Sequence, residues 1–318
     1  METALNPRSD GSPAPVCAAP AASVAAPLTG TRSKARQILS DYIELTKPKV
    51  QSLLLLTTIT TMLVAGRPSV VLIVLTCLGG YLSAGGAGAV NHWFDRDIDA
   101  QMSRTATRPI PAGRVSGAAA LTFGCALAAL SFAELTLAVN LLAAALSFAG
   151  FLGYVLVYTV WLKRRTPQNI VIGGAAGAIP PLVGWAAVTG SVSGLAVLLF
   201  FIVFFWTPPH FWALSLLMKG EYEKVGVPML PVARGEQETR RQILLYTVLL
   251  YAVTQLPFCA GGFGAVYLSA SLLLGLGFIG GAIRLYRRAD RRSALQLYLF
   301  SLAYLALLFS AMVLDVKL

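Results

Sequence analysis

Nine runs of apolar residues, each close to the roughly 20 residues needed to cross a hydrocarbon core, constrain this chain more than any other feature. They lie at about 48–66, 69–90, 116–137, 139–160, 168–189, 195–217, 242–260, 262–283 and 294–314. A span must satisfy its own backbone hydrogen bonds, and no alternating ten-residue pattern suggests a barrel, so each run is expected to be a helix. Composition agrees: 56% of the 318 residues are hydrophobic and 12% are charged, against about 25% charged in soluble domains. An ordinary soluble protein is thereby excluded. Glycines and prolines inside the runs, as at Gly79-Gly80, Gly85-Gly86, Gly173-Gly174 and Pro180-Pro181, are expected to draw helices together or kink them.

The net charge of +11 is unevenly placed. Of 25 basic residues, 23 fall in the N-terminal segment and in alternate connections, leaving Arg67 and Lys317 for the other side. A wrong helix count would scramble this alternation. By the positive-inside rule the N-terminus is expected in the cytoplasm and the C-terminus outside. A cell inner membrane fits, with a mitochondrial inner membrane as the alternative. Residues 1–40, rich in Ala, Pro and Ser, read as a disordered cytoplasmic tail preceding one nine-helix domain over 41–318. They form neither a signal peptide nor a span. Cys17, Cys77, Cys125 and Cys259 are scattered without a CxxC, which points to neither disulfides nor a thiolate metal site.

All acidic residues but Glu134 and Asp315 share the basic side, and three fall in Asn91-His92-Trp93-Phe94-Asp95-Arg96-Asp97-Ile98-Asp99. On a helix, Asn91, Asp95 and Asp99 are spaced i, i+4, i+8, setting one amide oxygen and two carboxylates on one face. Like charges four apart repel unless something cationic joins them. Such hard oxygens suit Mg²⁺, which takes one or two carboxylates together with substrate phosphate oxygens. The plainer reading is a solvated helix end. Arg104 and Arg108, four apart in the next loop, favour the first, because guanidinium matches phosphate oxygens bidentately. Carboxylates for a metal beside arginines for an anion describe a diphosphate site. Two further polar clusters share the side: Tyr158 with Lys163, Arg164 and Asn169, and Lys219-Gly220-Glu221-Tyr222-Glu223-Lys224. Within the second, Glu221 is a candidate for a second metal shell.

The run Asn91-x-x-x-Asp95-x-x-x-Asp99-x-x-Met102-x-Arg104-Thr105-x-x-Arg108-Pro109 resembles the first aspartate-rich motif of the UbiA superfamily of intramembrane aromatic prenyltransferases. Tyr158-Thr159-x-x-Leu162-Lys163-Arg164-x-Thr166-x-x-Asn169, Pro208-Pro209-His210-Phe211-Trp212-x-Leu214, Glu221-Tyr222 and Gly226-x-Pro228-Met229-Leu230-Pro231 resemble its heme-modifying branch. The likeness covers essentially everything after residue 40. It implies nine helices around a central cavity and transfer of a farnesyl group from farnesyl diphosphate to a vinyl group of protoheme IX. Asn91, Asp95 and Asp99 would hold Mg²⁺, Arg104, Arg108 and Lys163 would contact the diphosphate, and Tyr158, Asn169 and Tyr222 would lie nearby. A downstream heme A synthase is an implied partner. One departure stands out: many members have a second Asp-x-x-x-Asp, whereas here Glu221 is followed four residues on by Val225.

His210 lies inside the sixth run after Pro208-Pro209, which are expected to break the helix and open room. It is read either as a ligand of heme iron or of a propionate, or as a histidine bonded to a freed backbone carbonyl. His92, about 100° around the helix from Asn91, reads as a packing or supporting group. Phe200 to Phe205 read as lipid-facing or core. Two other functions compete: prenylation of a quinone precursor such as 4-hydroxybenzoate, which differs only on the acceptor side, and small-molecule transport. Acids gathered at one membrane face rather than at the midplane, with no inverted repeat, argue against a transporter. Nothing calls for nucleic acid.

Overall fold

The computed structural model describes residues 33–318, and among these the chain is helical with no strand. Among the described residues nine helices are long and apolar enough to cross a membrane. They are α2 (Pro48–Ala65), α3 (Val70–Phe94), α5 (Gly117–Ala138), α6 (Leu141–Leu152) with its continuation to Leu162, α7 and α8 (Asn169–Gly177 and Pro180–Thr189), α9 (Gly194–Leu217), α12 (Gly235–Cys259), α13 (Ala265–Arg288) and α14 (Arg291–Lys317). Short helices fill the connections: α1 (Lys34–Leu45), α4 (Arg96–Asp99), α10 (Lys219–Lys224) and α11 (Leu230–Ala233). The tail expected over residues 1–40, with Cys17, lies outside the described residues up to 32. Lys34 to Ser40 are part of α1 and so not tail. Asp41 and Leu45, four apart, face inward on that helix, and the Arg114 guanidinium fixes it by donating to Asp41 Oδ1 at 2.8 Å.

Side-chain caps fix where several spans begin. Ser69, Ser116, Asn140, Ser193 and Asp290 each accept from a backbone N–H three residues on, replacing a bond the first turn lacks. Asp315 caps from a distance: at the end of α14 it accepts from Gly264, Val266 and Tyr267 at the start of α13. One of the two acids on the sparsely charged side is thereby accounted for.

Each span packs on the next in sequence, and α14 returns to α2, closing a ring. Glycines set the tightest crossings. A Cβ on Gly86 would lie 2.6 Å from the Gly124 carbonyl, one on Gly124 would lie 2.8 Å from that of Gly86, and one on Gly184 would meet the Thr58 carbonyl at 2.6 Å. The fifth run breaks at Ala178-Ile179, where Pro180 and Pro181 supply no N–H. The sixth does not. Pro208 and Pro209 lie inside an uninterrupted α9, contrary to the expected break, because packing on α7, α12 and α14 holds a helix whose lost bonds a membrane bundle tolerates. The fourth run also departs from a plain α-helix: Gly153–Leu162 is wound with i→i+5 bonds. Phe200, Phe201, Phe204 and Phe205 stack on one another at the edge of the main core.

Candidate active site

The polar end of α3 is the centre. Backbone bonds from Asp95 N to Asn91 O and from Asp99 N to Asp95 O, 2.9 and 2.8 Å, carry helical register across the break between α3 and α4. Asn91, Asp95 and Asp99 therefore share a face as their spacing predicts, and they are 4%, 1% and 4% exposed. Two carboxylates this buried need partners. Lys163 donates to Asp95 Oδ2, Arg164 lies 3.5 Å from Asp95 Oδ1, and Arg108 donates to Asp99 Oδ2 at 2.7 Å. The i→i+5 winding of Gly153–Leu162 re-aims this strip of α6: Thr159 accepts from Asn91 Nδ2 at 3.2 Å, and Lys163 follows one wide turn later. Asp97 points away and is gripped by both terminal nitrogens of Arg164 at 2.7 Å. That guanidinium holds the Asp97 carboxyl below its ordinary range.

Lys47 belongs to the site and no local sequence signal singled it out. It sits between α1 and α2 with a left-handed backbone (φ 54°, ψ 54°), and its ammonium donates to Asn91 Oδ1 at 2.6 Å. Gly88 makes this approach possible, since a Cβ there would press on Leu45 O at 3.0 Å and the Lys47 stem at 3.6 Å. Burial of the ammonium, followed by the charges of Arg108 and Lys163, pulls Lys47 down to about 7 against Asp95 and Asp99. Arg108 and Lys163 thus pair with the two carboxylates, and Lys47 stands beside them on the Asn91 amide oxygen. His92, 1% exposed, lies within the field of the same three cations, and neither ring nitrogen has a partner.

The remaining candidates divide. Asn169, fully buried, donates to Lys163 O at 3.2 Å and leaves its own Oδ1 without a partner. Tyr158 packs with Tyr222, Ile98, Ile170, Val227 and Met229 as the apolar wall. Arg104 is exposed, yet its charge reaches Tyr222. Glu221 is tied elsewhere: Oε2 accepts from Ser103 N at 2.7 Å and Oε1 from Lys224 at 3.3 Å. The Ser103 N–H is the main reason its carboxyl lies below the ordinary range. Glu221 clamps the loop that carries Arg104 and Arg108. His210 stands apart in α9, bonded through Nδ1 to Ser301 Oγ at 2.7 Å rather than to a freed carbonyl.

Among the described residues no three His, Cys, Asp or Glu side chains converge as a ready metal cage. Mg²⁺ does not require one, since one or two carboxylates suffice when substrate oxygens complete the shell. Asp95 Oδ1 is a buried carboxylate oxygen without a hydrogen bond, and with Asp99 and the Asn91 amide it makes an all-oxygen donor set that fits the ion.

A model of the UbiA prenyltransferase family matches residues 54–308. A protein of Symbiobacterium thermophilum named protoheme IX farnesyltransferase is 53% identical over 289 residues, covering 90% of this chain and 97% of its own length. A protein of the same name from Chloroflexus aurantiacus is also 53% identical, over 92% of this chain but 51% of its own length. The chain thus spans about half the length of several curated relatives it matches. In fold it is similar to a digeranylgeranylglyceryl phosphate synthase (TM-score 0.73, 21% identity, covering 89% of this chain and all of that one). It is also similar to a UbiA homologue from Archaeoglobus fulgidus solved with DMAPP and Mg²⁺ (TM-score 0.62, 16% identity, covering 86% of this chain and 99% of that one). From its motifs, its nine-helix ring and this match over most of its length, the chain belongs to the UbiA prenyltransferase family.

Proposed function

We propose that the protein converts protoheme IX to heme O, transferring a farnesyl group from farnesyl diphosphate to a heme vinyl group with addition of water, at the cytoplasmic face of a bacterial inner membrane. The observation that carries the diphosphate half is the buried Asn91–Asp95–Asp99 face ringed by Lys47, Arg108 and Lys163. The farnesyl and heme assignments rest on the relatives' name. The sidedness rests on the positive-inside distribution.

Loss of diphosphate from an allylic substrate leaves a cation on the prenyl chain and negative charge on the leaving group. Asn91, Asp95 and Asp99 would hold Mg²⁺, which when bound supplies Lewis-acid neutralisation of that charge. Lys47, Arg108 and Lys163 stabilise the same developing charge from fixed, desolvated positions, where each counts for more than in water. Arg108 and Lys163 pair with Asp99 and Asp95, which fixes both cations beside the oxygens that would meet the metal and the diphosphate. Tyr158 and Tyr222, with Ile98, Ile170 and Met229, form an apolar wall that keeps water from quenching the prenyl cation. The vinyl carbon then attacks, and water adds to the resulting carbocation and loses a proton to leave a hydroxyl.

Incubation with farnesyl diphosphate, Mg²⁺ and protoheme, followed by mass analysis of the porphyrin, tests the proposal. The expected product gains one farnesyl group and one hydroxyl. Asp95→Ala and Asp99→Ala should abolish turnover while the protein stays folded in detergent. Near-wild-type turnover in either would remove the metal role, and prenylation of 4-hydroxybenzoate with protoheme untouched would reassign the acceptor.

A further inference from the structure

His210 is the one buried titratable group with a fixed tautomer that the diphosphate chemistry leaves unused. It lies seven residues before the end of α9, about 10 Å below the polar end at 1.5 Å per residue. Through α7 it connects to the site: Gly173 packs on the Tyr158 ring, and Gly174 packs on Thr207, three residues before His210. The imidazole is 7% exposed and stacks on Trp206 of α9 (centroids 4.3 Å apart) and Tyr298 of α14 (4.9 Å). Trp206 is itself anchored by donating to the Ser301 carbonyl at 2.8 Å.

The hydrogen bonds decide where the imidazole proton sits. Ser301 has one hydroxyl proton and two close neighbours, the Tyr298 carbonyl oxygen at 2.6 Å and His210 Nδ1 at 2.7 Å. A carbonyl cannot donate, and two oxygens 2.6 Å apart with no proton between them would repel. The hydroxyl therefore donates to Tyr298 O and accepts from Nδ1–H. Neutral imidazole has a single N–H, so Nε2 carries a bare lone pair. An imidazole pinned through Nδ1–H with Nε2 free is the arrangement of a metal-binding histidine whose supporting bond fixes its tautomer. The imidazole makes its hydrogen bond through Nδ1, and Nε2 is not among the buried polar atoms closed off without a partner.

We infer that His210 Nε2 is an axial ligand to the iron of the porphyrin acceptor, with Ser301 as the positioning residue that selects its tautomer and Trp206 and Tyr298 holding the ring plane. This rests on the reading of the acceptor as protoheme, and it assigns the iron itself a part in recognition.

The test uses the full chain in detergent with ferric protoheme and, separately, iron-free protoporphyrin IX. Wild type should give the absorption and electron paramagnetic resonance signature of histidine-ligated iron and should bind the iron porphyrin more tightly than the iron-free one. His210→Ala should lose the signature and regain it on addition of imidazole, with iron-free binding unchanged. His210→Gln, which retains a donor for Ser301, should also lose it and controls for folding. Ser301→Ala should keep the ligand but weaken iron-porphyrin binding on the order of 10–100-fold. An unchanged iron signature in both His210 variants, or equal affinity of wild type for the two porphyrins, would overturn the inference. If farnesylation by wild type persists alongside either result, only the ligand assignment falls. If ligation depends on His210 but no porphyrin is farnesylated, the ligand stands and the proposed activity falls.

Discussion

Asp95 shows how a single residue can be legible in sequence while its energetics are not. Its i+4 spacing from Asn91 is local, but the cation that neutralises it, Lys163, is 68 residues away, and the lysine on Asn91 is 44 residues away. Lys47 is correspondingly the clearest omission of a residue-level reading, because one lysine before a proline looks like any topological charge. Lys47→Met should lower kcat/KM by roughly 10²- to 10³-fold, the usual effect of removing one fixed charge-stabilising donor, with the helical circular dichroism unchanged. Steady-state rates at several farnesyl diphosphate concentrations measure it. Glu221 tests the opposite assignment. As a loop clamp it needs only an acceptor for Ser103 N–H, which an amide oxygen supplies, so Glu221→Gln should cost far less turnover than Asp99→Asn. Equal losses in the two would return Glu221 to the metal shell.

At the scale of elements, apolar length predicted all nine spans and small residues predicted close approach. The sequence could not say which glycines touch, since that depends on helix rotation. Gly86 and Gly124 oppose each other across α3 and α5, whereas Gly80 has nothing within 4 Å. Gly124→Ala should therefore destabilise the protein by roughly 1–3 kcal/mol of overpacking, whereas Gly80→Ala, whose Cβ meets nothing within 4 Å, should not. Thermal unfolding in detergent distinguishes them, and equal melting temperatures would contradict the crossing. The wide winding of Gly153–Leu162 and the unbroken α9 were illegible for one shared reason. Both depend on what neighbouring helices offer the backbone, and propensity read along one strand of sequence omits that term.

For the molecule as a whole, the ring closed by α2 and α14 gathers every long connection at one end, together with the carboxylates and their cations. If the basic loops face the cytoplasm, a chain otherwise free of cysteine and carrying Ala112→Cys should react with an impermeant maleimide only from the cytoplasmic side. The same chain with Ser191→Cys should react only from the other side. Labelling of both from one side of oriented vesicles would contradict the topology. Hydrophobic length and the sidedness of charge are one-dimensional properties, set by the thickness and fields of a bilayer. The sequence by itself therefore determined the helices, their number, their alternation and the helical face of Asn91, Asp95 and Asp99. Only the tertiary structure decided which cations meet those carboxylates, that Glu221 accepts from the Ser103 N–H, and which nitrogen of His210 faces Ser301. Those outcomes depend on donors and acceptors brought within 3 Å of each other from distant parts of the chain, where hydrogen-bond direction and charge neutralisation operate and sequence spacing carries no information.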